Sequence, residues 1–317
     1  MADQVSRTAE PATRILASEE RQAEFDRRGF TVVDLLSPEE VRASWEMIEA
    51  AAPAQFDATA RGGRAFQFHA SFLHEDQDYR RRIHGLIRDA LQPKLDRLLC
   101  GYEILLAGLF LKAPGTGMVP LHFDWTMVPD LSVVGINVWC PLIDVDVENG
   151  ALHLVEGSQR AVPHIGAPGT PMWCAGLEEE LTSLAVPVPL RAGQALVYDN
   201  TILHWSPPNR SAAIRPVIAL NCLPRTVRPA FYRLDAESGG ARFEKFDMGD
   251  GRHFKVQAAD FFSGEIDAPR LGYVSNENRT LGREEAYRAI GVPLPAARPS
   301  NRETRISSAI RRIFSRG

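Results

Sequence analysis

The sequence predicts a mainly β protein, with a jelly-roll (double-stranded β-helix) core and flanking helices, and three observations carry that reading. Helical patterns dominate up to about residue 100, as in SPEEVRASWEMIEAA and DYRRRIHGLIRDALQPKLDRLL. From about 103 to 225, short strand-like runs alternate with Gly, Pro and Asn turns, which is the pattern of an antiparallel barrel. No internal repeat divides the chain, and 317 residues with 44% hydrophobic content can bury one large core.

Taken in order, residues 1–17 are polar and are expected to be disordered. A single domain then spans 18–295, its helical part running to about 100 and its jelly-roll core from about 103 to 225. Within the core, about 161–184 is a Gly- and Pro-rich insertion that reads as a lid or substrate loop. Residues 226–295 are expected to pack on the barrel or close over its mouth. The basic tail 296–317 carries Ile306, Ile310 and Phe314 at helical spacing among its arginines. Such an end suits contact with an anionic membrane surface or a partner, and the plainer alternative is a solvated tail.

Composition narrows the function classes. The net charge of −4 gives no basic field for a nucleic acid. No apolar run is long enough for an integral membrane segment, and the first residues lack the apolar centre of a signal peptide. Cys100, Cys140, Cys174 and Cys222 are scattered, which reads as reduced cysteines in a cytoplasmic protein.

The chemistry lies in His122-Phe-Asp124-Trp, followed by His204-Trp-Ser206-Pro-Pro-Asn-Arg-Ser and then Arg215. Two histidines and a carboxylate are a set that holds Fe(II) on one face and leaves the opposite positions open for O2 and a co-substrate. Chance alone would supply roughly one half of a His-x-Asp match in this composition, and motif reading must carry that rate. One decoy is present, His74-Glu-Asp76, in a stretch that reads as helical, where residues two apart share no face. His122 and Asp124 instead follow the loop KAPGTGMVP and lead into an extended segment, where residues two apart point to one side. The run VPLRAGQALVYDNTILHWS reads as a strand, a turn at Arg191-Ala-Gly193 and a second strand reaching Ser206, with His204 and Ser206 on one face.

Arg215 lies on the next strand, where a buried guanidinium needs a partner and fits a carboxylate bidentately. A dicarboxylic acid co-substrate would satisfy it. Pro216 behind it cannot donate to a ladder, which suggests an edge or a bulge there. Lys112 is placed where it could reach the pocket mouth, or else serve as a strand-end lysine with a packed stem and a wet head. The remaining histidines, His69, His84, His153, His164 and His253, have no spaced partner and default to structural or exposed roles.

Four ordered segments resemble the phytanoyl-CoA dioxygenase family of Fe(II)- and 2-oxoglutarate-dependent oxygenases over roughly residues 20 to 230: EFDRRGFTVVDLLSPEEVRASWEMIEA, LFLKAPGTGMVPLHFDW, GINVWCPLIDVDVENGALHLVEGSQR and HWSPPNRSAAIRP. The resemblance implies a cupin-like core, with His122, Asp124 and His204 as iron ligands and catalytic residues. It implies Arg215 as the partner of the distal carboxylate of 2-oxoglutarate, supported by Ser206. Asn137 and Trp139 fall on the strand facing the pocket, with Asn137 donating to the co-substrate. Glu156 stands where a proline is usual and Gln159 where a histidine is common, departures that bear on local turn geometry.

The implied reaction consumes 2-oxoglutarate and O2, abstracts a substrate hydrogen and most often hydroxylates, releasing succinate and CO2. Halogenation is disfavoured because related halogenases keep the Asp124 position small. The expected partner is a small-molecule substrate, a metabolite or natural-product intermediate, and nothing resembles a dedicated coenzyme A site. Phe66, Phe68, Trp125, Trp139, Met172, Trp173 and Trp205 could line an apolar pocket, and Arg64 and Lys112 could meet an anion. Two other classes stay open: a non-oxidative metal-dependent isomerase or hydrolase with no use for Arg215, and a catalytically silent binding protein, which would be expected to lack a ligand.

Overall fold

The computed structural model describes residues 14–51, 68–256, 260 and 265–295, so the basic tail, Arg64 and Phe66 lie outside the described residues. Helix α1 (Glu19–Arg28) leads into strand β1 (Phe30–Asp34) and helix α2 (Pro38–Ala51), and the two-residue β2 (His69–Ala70) precedes the long α3 (Gln77–Leu98). Strands β3 (Tyr102–Lys112), β4 (Val119–His122), β5 (Ile136–Pro141) and β6 (His153–Leu154) follow, then the short helix α4 (Glu178–Thr182). β7 (Val186–Pro187), β8 (Gln194–Asp199), β9 (His204–Ser206) and β10 (Arg215–Pro224) complete the core. β11 (Ala230–Leu234), β12 (Arg242–Asp247) and β13 (Arg270–Ser275) form a small separate sheet, and α5 (Arg283–Ile290) comes last.

The core is mostly β and built as a jelly roll. A six-stranded sheet in the order β1-β8-β5-β10-β3-β2 accompanies a four-stranded sheet in the order β4-β9-β6-β7, with every pairing antiparallel. Alternation along each strand divides the apolar residues between two sides. Trp139, Leu196, Tyr198 and Val217 meet Leu152 and Leu154 of the other sheet inside the barrel. Val138, Cys140, Val197, Ile218 and Leu220 face outward, against Ile48 of α2 and Ile83, Ile87, Leu91 and Leu95 of α3.

Helix ends follow their local chemistry. In α1, the Ser18 hydroxyl accepts from the Arg21 N–H, Glu19 and Glu20 lie in the first turn, and Gly29 closes the helix in the left-handed region. α3 begins with Asp76 accepting from the N–H groups of Asp78 and Tyr79. His74 and Asp76 therefore sit before the helix, not within it, and Asp76 is a cap, not half of a metal site. Beyond the two residues of β2, the edge of β3 is satisfied by side chains: the Leu109 N–H donates to Ser71 Oγ (2.9 Å) and the Ala107 N–H to His84 Nδ1 (3.0 Å). Burial pushes the His84 pKa down to about 4, which keeps it a neutral acceptor.

Four expectations need revision. The ordered chain starts before residue 18, because Ile15 and Leu16 are buried and tied to the end of α3 by hydrogen bonds between Cys100 N and Ile15 O and between Ala17 N and Leu98 O. The run up to Ser206 is two strands in different sheets, since a turn at Asp199, whose carboxylate accepts from the Thr201 N–H (2.8 Å), breaks it. Pro216 lies in a central strand, one residue outside the pairing with β5, and the irregularity of β10 falls instead at Asn221/Cys222. The insertion at 161–184 lies beside the metal-facing segment, yet it is a packed wall, with Trp173, Cys174 and Leu181 buried against Phe123 and Leu203.

Glu156, where a proline was expected, forms an ion pair with Arg28 (2.8 Å), and Gly157 turns the chain at φ 82°. Gly193 shows the cost of such turns most sharply. Its carbonyl accepts from both Leu35 and Leu36, its φ is +84°, and an added Cβ would meet Leu36 O at 2.4 Å. Gly193→Ala is expected to lower the unfolding free energy by about 2 kcal/mol or more in chemical denaturation. Gly239→Ala, at φ +63° with open space around it, should cost only about 1 kcal/mol.

Candidate metal and anion site

His122 ends β4 and faces His204 directly across the β4–β9 pair, their ring centroids 4.2 Å apart. Asp124 is not on the strand. It lies in the loop just past β4, and its backbone N–H donates to Asn200 O (3.0 Å). The donor atoms of His122, Asp124 and His204 lie within 4.8 Å of one another, so the three residues could hold a metal ion.

Backbone carbonyls orient both rings. His122 Nδ1 lies 2.9 Å from Pro120 O and His204 Nδ1 lies 3.0 Å from Ile202 O. A carbonyl only accepts, so each Nδ1 carries the proton and each Nε2 keeps its lone pair for a metal. Burial, with His122 alongside, pushes the His204 pKa down to about 4, so this ring is neutral and ready to coordinate. The His122 and Asp124 side chains remain 35% and 32% exposed, whereas His204 is buried, so the open side of the cluster is theirs.

Asn137 is turned toward Asp124. Its Nδ2 donates to Asp124 Oδ2, and its Oδ1 accepts from Asn221 Nδ2 (3.1 Å). Asn221 and Tyr198 are its cross-strand neighbours on β10 and β8. The Tyr198 phenol faces Asn137 and Asp124, and burial raises its pKa well above the ordinary value, so it stays protonated. Neither Asn221 nor Tyr198 stood out in the sequence.

A second constellation begins at Ser206, two residues along β9 and on the same face as His204. Lys112 is not at a pocket mouth. It is 1% exposed, and its Nζ donates to Ser206 Oγ (2.6 Å) and Pro207 O (3.0 Å). Arg215, 2% exposed, sits directly opposite Lys112 in the β10–β3 register. Its Nη1 donates to Gly150 O (2.6 Å), its Cζ lies 5.1 Å over the Trp139 ring and its Nε has no partner. Trp139 is therefore a wall of the barrel interior that carries the guanidinium. Among the described residues neither cation has an acidic partner.

Two like charges opposite one another and out of water are costly. The pKa of each group is displaced in the direction that relieves that cost. Burial, then Arg215, pushes Lys112 down to about 6, and burial pushes Arg215 down to about 9. Gly117 and Gly150 explain how the pair is packed: a Cβ on Gly117 would lie 2.7 Å from the Lys112 stem, and one on Gly150 would lie 2.9 Å from Pro207 O. The glycine-proline loop before His122 is thus the cover over Lys112. Trp173 is buried in the outer wall and Trp205 stacks on His153 (4.4 Å), so neither of these rings faces the barrel interior.

Residues 25–217 match the family described as phytanoyl-CoA dioxygenase (PhyH). Among solved structures, the chain is similar to the non-heme alpha ketoglutarate dependent epimerase SnoN from nogalamycin biosynthesis, at 21% identity and TM-score 0.48, over 67% of this chain and 84% of that one. It is also similar to EvdO2 from Micromonospora carbonacea var. aurantiaca complexed with 2-oxoglutarate, at 21% identity and TM-score 0.45, over 68% and 92%. A third similarity is to EctD from S. alaskensis with 2-oxoglutarate and 5-hydroxyectoine, at 20% identity and TM-score 0.46, over 67% and 78%.

The buried lysine gives a signed pH prediction. Its pKa falls on folding from 10.5 to about 6, so between those values the unfolded chain binds the proton and stability falls as pH drops. The stability gained by Lys112→Met over the wild type, without ligand, is expected to grow by up to about 1.4 kcal/mol per pH unit between about pH 9 and 7. Denaturant unfolding at several pH values measures it, and a pH-independent difference would contradict the assigned depression.

Proposed function

Because the chain belongs to the phytanoyl-CoA dioxygenase family, we propose that it is an Fe(II)- and 2-oxoglutarate-dependent dioxygenase that hydroxylates an unactivated C–H bond of a small metabolite or natural-product intermediate. The observation that carries this reading is the buried Lys112–Arg215 pair, whose Lys112 bonds Ser206 two strand residues from His204 of the cluster. Two residues of strand span about 6.7 Å, a distance that a five-carbon dicarboxylate bridges. A divalent metal at the triad and a carboxylate at the cations would therefore be the two ends of one bound molecule.

The donor set fits Fe(II): two imidazoles and one carboxylate on one side, with access from the other. Fe(II), when bound with 2-oxoglutarate and O2, supplies the oxidising power, and the keto acid leaves as succinate and CO2. The chain's own residues bind, orient and keep water out. Arg215 and Lys112 offer the distal carboxylate a planar fork and a point charge, and Ser206 offers a hydroxyl. Lys112 takes up a proton as that carboxylate arrives, since an opposite charge restores the ammonium.

Trp139, Leu154, Leu196 and Val217 seal the interior around the co-substrate. Phe68 and Phe72 each lie 5.5 Å from the Phe110 ring and give an apolar, aromatic wall suited to a small organic substrate. Asp124 occupies the third ligand position, so the ligand set favours oxygen insertion over halide transfer. Four cysteines without disulfides fit a reducing cytoplasm, and among the described residues no helix is long and apolar enough to cross a membrane.

Anaerobic titration of the Fe(II)-loaded protein with 2-oxoglutarate is expected to produce the weak visible charge-transfer band of the chelated keto acid. Arg215→Ala should retain iron and shift the midpoint at least about 30-fold higher, while His204→Ala should lose the band. Bound iron without a band would point to a non-oxidative metal enzyme and leave Arg215 a structural residue.

A further inference from the structure

Asp124 is the one member of the triad with two atoms that could coordinate. If both did so, one of the positions needed for the co-substrate and O2 would be taken. Its two oxygens have different surroundings: Oδ1 lies 3.8 Å from His122 Nε2, whereas Oδ2 accepts from Asn137 Nδ2.

The orientation of that amide follows from chemistry. A carboxylate only accepts, so Asn137 must turn its nitrogen to Asp124 and its oxygen away, toward Asn221. Asn221 must then turn its own nitrogen to Asn137, as it does at 3.1 Å. Its Oδ1 is left buried and without a partner. The charge on Asp124 thus dictates both amide orientations, and the two asparagines are cross-strand neighbours inside the barrel, on rigid strands of the larger sheet.

We propose that Asn137 and, behind it, Asn221 are positioning residues that hold Asp124 as a one-oxygen ligand and so keep the opposite coordination positions open. Asn137 occupies Oδ2; Asn221 keeps the Asn137 amide from flipping and from swinging away. The inference rests on the reading of the triad as a divalent-metal site, and it concerns binding geometry, so it can be tested without turnover.

The test uses Mn(II) as a redox-stable probe on the metal-free full chain, with free Mn(II) read by electron paramagnetic resonance and metal-bound waters by proton relaxation. Wild type, Asn137→Leu, Asn221→Leu and the double variant form a cycle. Asn137→Leu is expected to weaken Mn(II) by roughly 10- to 100-fold, the usual effect of losing such a supporting contact. Bound waters should fall from about three to about two, because three protein ligands leave three positions on a six-coordinate ion. Asn221→Leu should move both readouts in the same direction by less, and its effect should vanish once Asn137 is already Leu.

Unchanged affinity and water count in the single variants, or simple additivity in the double, would overturn the proposal. Should the Leu variants not fold, Asn137→Ser and Asn221→Ser run the same cycle with less change in the barrel. A wild type that does not bind Mn(II) would instead overturn the metal reading itself, an outcome separate from a wild type that binds and variants that match it.

Discussion

Two basic side chains placed opposite each other inside the barrel are the constraint around which the rest is arranged. Lys112 and Arg215 face one another across β3 and β10, nearly without exposure and without an acidic neighbour among the described residues. Such a pair is tolerated only because its surroundings are specific. Ser206 and two backbone carbonyls accept its hydrogen bonds, the Trp139 ring lies beneath the guanidinium, and two glycines in the left-handed region bring the covering loops close. Each device reduces the cost of burial, and none supplies a negative charge. The pair is joined through Ser206 to the strand that carries His204.

The metal end follows the opposite economy. Burial holds the His204 imidazole neutral, and Nδ1-to-carbonyl contacts orient both rings. The Asn137 amide rather than a cation supports the carboxylate there. One end of the interior is thus rich in positive charge and the other carries one negative ligand, which is the polarity that a chelating dicarboxylate bound to a divalent ion would match.

How much of this could be read beforehand depended on whether the signal was local. His122, Asp124, His204 and Arg215 stand within short windows whose turns and alternation are visible in one dimension; the first three come together in space, and Arg215 is buried opposite Lys112. Asn221 and Tyr198 carry no motif: each is an ordinary strand residue brought beside Asn137 by strands far apart in sequence lying side by side. Lys112 was placed at a mouth because lysine stems usually carry their heads to water, and only the pairing with Arg215 and the cover by Gly117 show otherwise. β8 parted from β9 because the Asp199 side chain captures the Thr201 N–H at a turn, chemistry that apolar periodicity does not record, and Asp124 left the strand with its N–H turned to Asn200 O. Ile15 and Leu16 were lost within a polar terminus, although two buried residues are enough to dock a chain end.

The strand order has a kinetic consequence. β3 pairs with β10 across more than a hundred residues, and β1 joins the same sheet through β8, so the contacts that build the site are of high contact order and their closure entropy must be met before they form. No single strand or hairpin contains both histidines and the arginine. A nascent or partly folded chain therefore has neither an assembled metal cluster nor a shielded cation pair, and the redox-active ion can be gathered only once the barrel around it has closed.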